Sequence, residues 1–196
     1  PDALPGSPEF DLYIKEVTRE MTSKAGQRCT AIRKALVPAA LADAVSAALA
    51  AALGRIVVGD PRTEGVRMGP LASREQRSEV LARIGELARE AERVCGDVEA
   101  FAPAGGDRER GAFLPPVLLR CRDAANAHAV HAVEAFGPVA TLVPYRDIDE
   151  AIVLARRGEG SLAGSVFTAD DAVAARLVLG LAPFHGRLLV VNRHCA

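Results

Sequence analysis

From Phe113 onward, apolar runs of strand length alternate with segments of helical spacing. Phe113 to Leu119, Val139 to Val143, Ser165 to Phe167 and Arg187 to Val191 read as strands. Between them, Asp147-Ile-Asp-Glu150 carries the capping-box pattern of a helix start, and Thr168-Ala-Asp-Asp171 opens a second helix ending near Gly180. The strands are apolar along nearly their whole length, not at alternate positions, so both of their faces must be covered. That pattern predicts an α/β fold, a mostly parallel sheet with helices on both faces. A chain of 196 residues can bury such a core, and one α/β domain is the economical count.

The first half fits the same plan. Leu12, Ile14, Val17 and Met21 mark a helix from Asp11 to Lys24 that stops at Gly26. Ala31 to Val37 reads as a strand closed by Pro38. Ala39 to Leu53 is a helix with Leu41, Val45, Ala48, Leu49 and Ala52 on one stripe. Gly59-Asp60-Pro61 opens a loop lasting to Leu71. Ser73-Arg-Glu-Gln76 is a capping box for a long amphipathic helix with Val80, Leu81, Ile84, Leu87, Ala88 and Ala91 on its buried face. Gly96 to Gly111 reads as an exposed loop or hairpin.

Several function classes drop out. The formal net charge is -1, which recommends neither nucleic acid nor an anionic membrane as partner. No uncharged apolar stretch reaches the ~18 residues that a membrane span needs. Cys29, Cys95, Cys121 and Cys195 form no CxxC pair, so neither a disulfide framework nor a zinc cluster is indicated, and a cytoplasmic location is the simplest setting. His128 and His131 could share a helical face, but no carboxylate or cysteine stands at ligand spacing to complete a metal site. The opening Pro-Asp-Ala-Leu-Pro-Gly-Ser-Pro lacks the features of a signal peptide and an initiator Met, as vector residues or the interior of a longer protein would.

Gly26-Gln27-Arg28-Cys29-Thr30 places a cysteine in a tight turn between a helix and a strand. A nucleophile needs an exposed side chain on a fixed backbone, with N–H donors for a developing oxyanion. The turn can supply the first and the Cys29 amide the second. From the residues alone, packing as a small hydrophobe is the commoner state of a lone cysteine. Lys24, Arg28 and Arg33 flank Cys29 and would depress its pKa if they pointed inward, although cationic side chains more often face solvent. Cys95 and Cys121 read as packing residues, and His194-Cys195 as the tail of a strand.

Residues 16–37, Glu-Val-Thr-Arg-Glu-Met-Thr-Ser-Lys-Ala-Gly-Gln-Arg-Cys-Thr-Ala-Ile-Arg-Lys-Ala-Leu-Val, resemble the active-site segment of the aldehyde dehydrogenase superfamily. Four further blocks follow in the family's order: Val58-Gly-Asp-Pro61 with Met68-Gly-Pro-Leu71, Phe113-Leu-Pro-Pro116, Glu134-Ala-Phe-Gly-Pro-Val139, and Ser161-Leu-Ala-Gly-Ser-Val-Phe-Thr168. The resemblance implies that Cys29 is the nucleophile and that its amide forms half of the oxyanion hole. It implies that Glu134 holds the nicotinamide ribose and Phe136 lies beside the nicotinamide, the cofactor being NADP or NAD. Met-Thr-Ser-Lys-Ala-Gly-Gln-Arg-Cys-Thr-Ala resembles the branch that oxidises CoA-linked semialdehydes from phenylacetate and benzoate breakdown. A Gly-Gln-Arg-Cys-Thr core is also found in non-phosphorylating glyceraldehyde-3-phosphate dehydrogenases. Another aldehyde as the small-molecule substrate, or a non-catalytic scaffold role, therefore stays open.

The family's coenzyme-binding domain, general-base glutamate and oxyanion asparagine precede the nucleophile, and its oligomerisation segment follows the catalytic subdomain. The resemblance thus implies that residues 1–196 are a partial catalytic subdomain of a homo-oligomeric parent, with little turnover alone.

Overall fold

The computed structural model describes residues 3–195. Its centre is a four-stranded sheet of β1 (Lys34–Pro38), β2 (Ala91–Cys95), β3 (Val117–Cys121) and β4 (Val139–Tyr145), in the order β1-β4-β3-β2. β1 and β3 both run parallel to β4, while β2 pairs antiparallel with β3 at the edge. The expected mostly parallel sheet is present, with one reversed edge strand.

Alternate residues of the central strands enter two separate cores. Leu118, Ala140 and Leu142 point to one face, where they meet Phe10, Val17 and Met21 of α1 (Pro8–Thr22) and Val45 and Leu49 of α2 (Ala42–Gly54). Val117, Leu119, Val139 and Val143 point to the other, against Val80 and Leu87 of α3 (Arg74–Leu87), Val130 of the short α4 (Ala129–Ala132) and Leu154 of α5 (Ile148–Arg156). Helices cover both faces, as strands without polar alternation require.

β5 (Ser161–Phe167) and β6 (His185–Val191), joined through α6 (Asp171–Leu181), pair with each other in a second, two-stranded parallel sheet and do not extend the first. The Tyr13 and Phe167 rings meet edge to face, with centroids 5.2 Å apart and planes at 90°, linking this unit to α1. Buried Glu9 joins the two ends of the chain: Arg193 donates to both of its carboxylate oxygens at 2.9 Å and holds its pKa low.

The boundaries depart from expectation for physical reasons. α1 starts at Pro8, three residues early, because Ser7 accepts from the Phe10 amide and Pro suits the first helical turn. α3 ends at Leu87, and Ala91, expected on its buried face, begins β2 instead. β3 starts only at Val117, since Pro115 and Pro116 cannot donate to a ladder. Asp170, not Thr168, caps α6 through the Ala172 and Val173 amides. Arg193–Cys195 is a 3-10 turn and not the tail of a strand. Among the described residues no helix is long and apolar enough to cross a membrane, and no group of three or more His, Cys, Asp or Glu could hold a metal.

A polar clamp ties β1 to α4, before β4, and to α5, after it. Lys34 Nζ donates to the Leu154 carbonyl at 3.2 Å and lies 3.3 Å from His131 Nδ1, while His131 Nε2 is 3.0 Å from the Ala124 carbonyl. A carbonyl only accepts, so Nε2 carries the imidazole proton and Nδ1 accepts from Lys34. Arg157 closes the same turn by donating to the carbonyls of Ala124, Ala125 and Ala127. Burial, aided by the charges of Lys34 and Arg157, pushes His131 down to about 4, against the opposing pull of the Ala124 carbonyl and Glu90. Lys34 itself is lowered to about 8, chiefly by burial and then by Arg33 and Arg157.

An unfolded histidine titrates near 6.5, so between that pH and about 4 the unfolded chain binds more protons than the folded one. Stability contributed by neutral His131 is complete above that window and is lost as pH falls through it. Thermal unfolding followed from pH 7 to pH 5 should show a falling Tm. His131→Gln keeps an acceptor for Lys34 and a donor for Ala124, so it should flatten that decline; an unchanged decline would refute the assignment.

Candidate active site

α1 delivers the chain into the turn that carries Cys29. After Thr22 the backbone reverses through three consecutive left-handed residues: Lys24 at φ 53°, Ala25 at φ 51° and Gly26 at φ 68°. For Lys24 and Ala25 this conformation is costly and must be imposed by surrounding contacts. The Gln27 amide donates to the Lys24 carbonyl at 3.1 Å and the Arg28 amide to the Gly26 carbonyl at 3.0 Å. Cys29 follows, exposed, in a hydrogen-bonded turn before β1.

Gly26 explains why these contacts hold. A Cβ built on it would lie 2.1 Å from the Gly137 carbonyl oxygen and 2.9 Å from the Pro138 nitrogen. The turn bearing Cys29 therefore sits directly on the turn bearing Glu134 and Phe136, backbone against backbone. Gly137 is tight on its other side too, where an added Cβ would come within 2.8 Å of Val80 on α3. Three layers are thus stacked: the cysteine turn, the Glu134–Pro138 turn and the helix beneath them.

The first turn of α3 ties both loops together. The Ala72 amide donates to Gln27 Oε1 at 2.8 Å, and Gln76 Nε2 donates to the Phe136 carbonyl at 3.0 Å. Ser73 Oγ accepts from the Gln76 amide at 3.1 Å, giving half of the expected capping box, but the Gln76 side chain reaches Phe136 and not back to Ser73. Phe136 itself is held at φ 51° and is 43% exposed as a residue. Arg77 Nε donates to the Phe113 carbonyl at 2.9 Å, which seats the Phe113 block on α3, and the Leu71 amide donates to the Ala112 carbonyl at 2.9 Å, which ties the Met68–Leu71 block to it.

Cys29, Glu134 and Phe136 are all exposed on this stack, their turns joined through Gly26 and Gly137. Among the described residues the Cys29 amide and Sγ make no hydrogen bond, and Glu134 makes neither a hydrogen bond nor an ion pair. The arrangement offers a thiol, an adjacent free N–H donor, a free carboxylate and an exposed aromatic ring on fixed backbone. Chemically, it can add sulfur to an electrophilic carbon and donate to the resulting oxyanion, beside groups suited to a sugar hydroxyl and a flat ring.

Neither Lys24 nor Arg28 makes a hydrogen bond to the thiol among the described residues. Arg28 donates to Glu20 Oε2 at 2.7 Å, back toward α1, while Lys24 is exposed. Burial raises the thiol pKa of both Cys95 and Cys121, in keeping with packing roles. The block Ser161–Thr168 forms β5 and the residue after it, and β5 pairs with β6 and not with β1, the strand that follows Cys29. Gln27 and Gln76 are the residues that sequence reasoning missed; each lies inside a motif, but a glutamine's distant backbone partner leaves no local signal.

The aldehyde dehydrogenase family pattern matches residues 7–183. The 3,4-dehydroadipyl-CoA semialdehyde dehydrogenase of Aromatoleum evansii is 48% identical over 192 residues, which are 98% of this chain and 37% of that protein. The structure of betaine aldehyde dehydrogenase from Staphylococcus aureus in complex with NAD+ superposes with a TM-score of 0.82 at 27% identity, covering 94% of this chain and 36% of that one. An NADP-dependent glyceraldehyde-3-phosphate dehydrogenase from Bacillus halodurans, complexed with NADP, gives a TM-score of 0.77 at 25% identity over 94% and 36% of the two chains. The chain spans a little over a third of the length of these relatives.

The Gly26 contact makes a graded prediction. Gly65 has φ 82° but nothing within 4 Å of an added Cβ, so Gly65→Ala should cost only left-handed strain, about 1–2 kcal/mol. Gly26→Ala adds a backbone collision to the same strain and should cost about 3–5 kcal/mol in urea unfolding. Equal costs would show that the two turns are not in contact.

Proposed function

This chain belongs to the aldehyde dehydrogenase family, and on that footing we propose that it carries the nucleophile and part of the coenzyme site of an NAD(P)-dependent dehydrogenase. The observation that carries the reading is the Gly26–Gly137 contact, which seats the Cys29 turn on the Glu134–Phe136 turn. The substrate class is a CoA-linked semialdehyde, supported by the 48% identity to the enzyme of Aromatoleum evansii.

In this reading the Cys29 thiolate adds to the aldehyde carbon, forming a C–S bond and a tetrahedral alkoxide. The unengaged Cys29 amide donates to that oxygen, stabilising charge where it develops. Bound NAD(P)+ supplies the two-electron acceptor for the hydride that leaves this carbon. Cys29 is left as a thioester, whose hydrolysis by water releases the acid and returns the thiol. Glu134, free of ion pairs, has its carboxylate available to accept from ribose hydroxyls, and the exposed ring of Phe136 offers a flat apolar face for the nicotinamide. The residues fit a share of the coenzyme, and no base among the described residues touches Cys29, so the 196-residue chain alone should turn over poorly.

Two further parts of the reading rest on surface chemistry. Leu162, Leu179 and Leu189 are 57%, 78% and 55% exposed on the β5–α6–β6 unit, which supports a homo-oligomer in the longer polypeptide. Four free cysteines suit a cytoplasmic protein.

In a longer polypeptide that contains this chain and oxidises aldehydes, Cys29→Ala should lower kcat by ~10⁴-fold or more. Cys95→Ala, Cys121→Ala and Cys195→Ala should each stay within about tenfold of the parent. Substantial turnover by Cys29→Ala would overturn the assignment. Glu134→Gln should raise KM for NAD(P)+ by about tenfold, the weight of a charge-assisted hydrogen bond, and an unchanged KM would remove Glu134 from the coenzyme site.

A further inference from the structure

An open cleft of about 610 Å³ lies between the end of α1 and the loop that follows Pro61. Its size is in the range of small-molecule sites. Arg19, Lys24 and Arg67 reach its walls with Gln27, Gly69 and Pro70, and no carboxylate lines it. A cleft with three cations and no anion stands out on a chain whose formal net charge is -1. Arg19 is partly neutralised by Glu16 at 2.5 Å and Glu20 at 3.5 Å, whereas Lys24 and Arg67 have no ion-pair partner among the described residues.

Lys24 is also held on this wall at a conformational cost. It sits at φ 53° in the reversal that Gly26 locks against Gly137, so its position is fixed by the same contact that fixes Cys29. Gln27, on the cleft wall, is two residues from Cys29, a separation of at most ~7 Å along the backbone. The cleft thus reaches to within two residues of the nucleophile, and two of its cations, Lys24 and Arg67, have no ion-pair partner among the described residues.

We infer that this cleft binds the phosphorylated adenosine end of a CoA thioester, with Lys24 and Arg67 contacting its phosphates. The inference rests on the CoA-semialdehyde reading above and places the handle of that substrate on named residues. Two cations without partners match a ligand carrying both a diphosphate and a 3′-phosphate. The Gly69-Pro70 backbone gives a smooth wall with little side-chain bulk for the base, and the flexible pantetheine arm can run from the cleft to Cys29.

Equilibrium binding of CoA to the 196-residue chain tests this, with dephospho-CoA, pantetheine and inorganic tripolyphosphate as comparators. CoA should bind most tightly, dephospho-CoA more weakly and pantetheine undetectably, with affinity falling as salt rises. The double variant Lys24→Ala/Arg67→Ala should weaken CoA at least tenfold with Tm unchanged, since both side chains are exposed. Undetectable CoA binding, equal affinity in the double variant, equal binding of pantetheine, or tripolyphosphate binding as tightly as CoA would each overturn the inference. Failure of the dehydrogenase reading would appear elsewhere, as aldehyde turnover surviving Cys29→Ala, and would leave the CoA comparison standing.

Discussion

Two glycines in van der Waals contact, Gly26 and Gly137, decide the geometry of everything around Cys29. Neither position has room for a Cβ: at Gly26 it would overlap backbone, and at Gly137 it would press on Val80. This close approach lets two loops far apart in sequence share one surface. It also accounts for the left-handed conformations of Lys24, Ala25 and Phe136, which local propensity would not select. The loops can sustain that strain because α3 and the segment leading into it hold both, through Ala72 to Gln27 and through Gln76 to Phe136. α3 is in turn fixed by Val80 and Leu87 in the core beneath the sheet, so the site inherits its rigidity from packing.

The same stack organises charge. Arg28 turns back to Glu20 on α1, which removes one cation from the neighbourhood of the thiol. Lys24 turns to the cleft wall, and Glu134 remains an unpaired carboxylate. A thiol with a free amide, an unpaired carboxylate and a cationic cleft are disposed about one fixed turn. All of these groups are exposed, so each is open to a ligand or to another surface.

Much of this was legible in the sequence. The nearly continuous apolarity of Val117–Leu119 and Val139–Val143, broken only by Thr141, carried the two-sided sheet, and the ordered motifs carried the family. What was hidden is non-local. Ala91 continues the helical spacing of Ile84, Leu87 and Ala88, and Glu92 and Arg93 are good helix formers; only antiparallel pairing with β3 makes that segment a strand. Gln76 completes a capping box on paper, yet its amide finds the Phe136 carbonyl 60 residues away. The Lys34–His131 contact and the Glu9–Arg193 pair span 97 and 184 residues, distances at which no local pattern could join them. The pairing of β5 with β6 alone, apart from the main sheet, was equally invisible in strand composition.

The central claim is that chemistry at this surface passes through the Cys29 sulfur. The direct test is to mix a longer, active polypeptide carrying this chain with an aldehyde and oxidised coenzyme, quench in acid during turnover, and map cysteine peptides by mass spectrometry. The account predicts an acyl adduct, lighter by two hydrogens than a simple aldehyde addition product, on the Cys29 peptide alone. An adduct on Cys95, Cys121 or Cys195, or steady turnover with Cys29 never acylated, would contradict it.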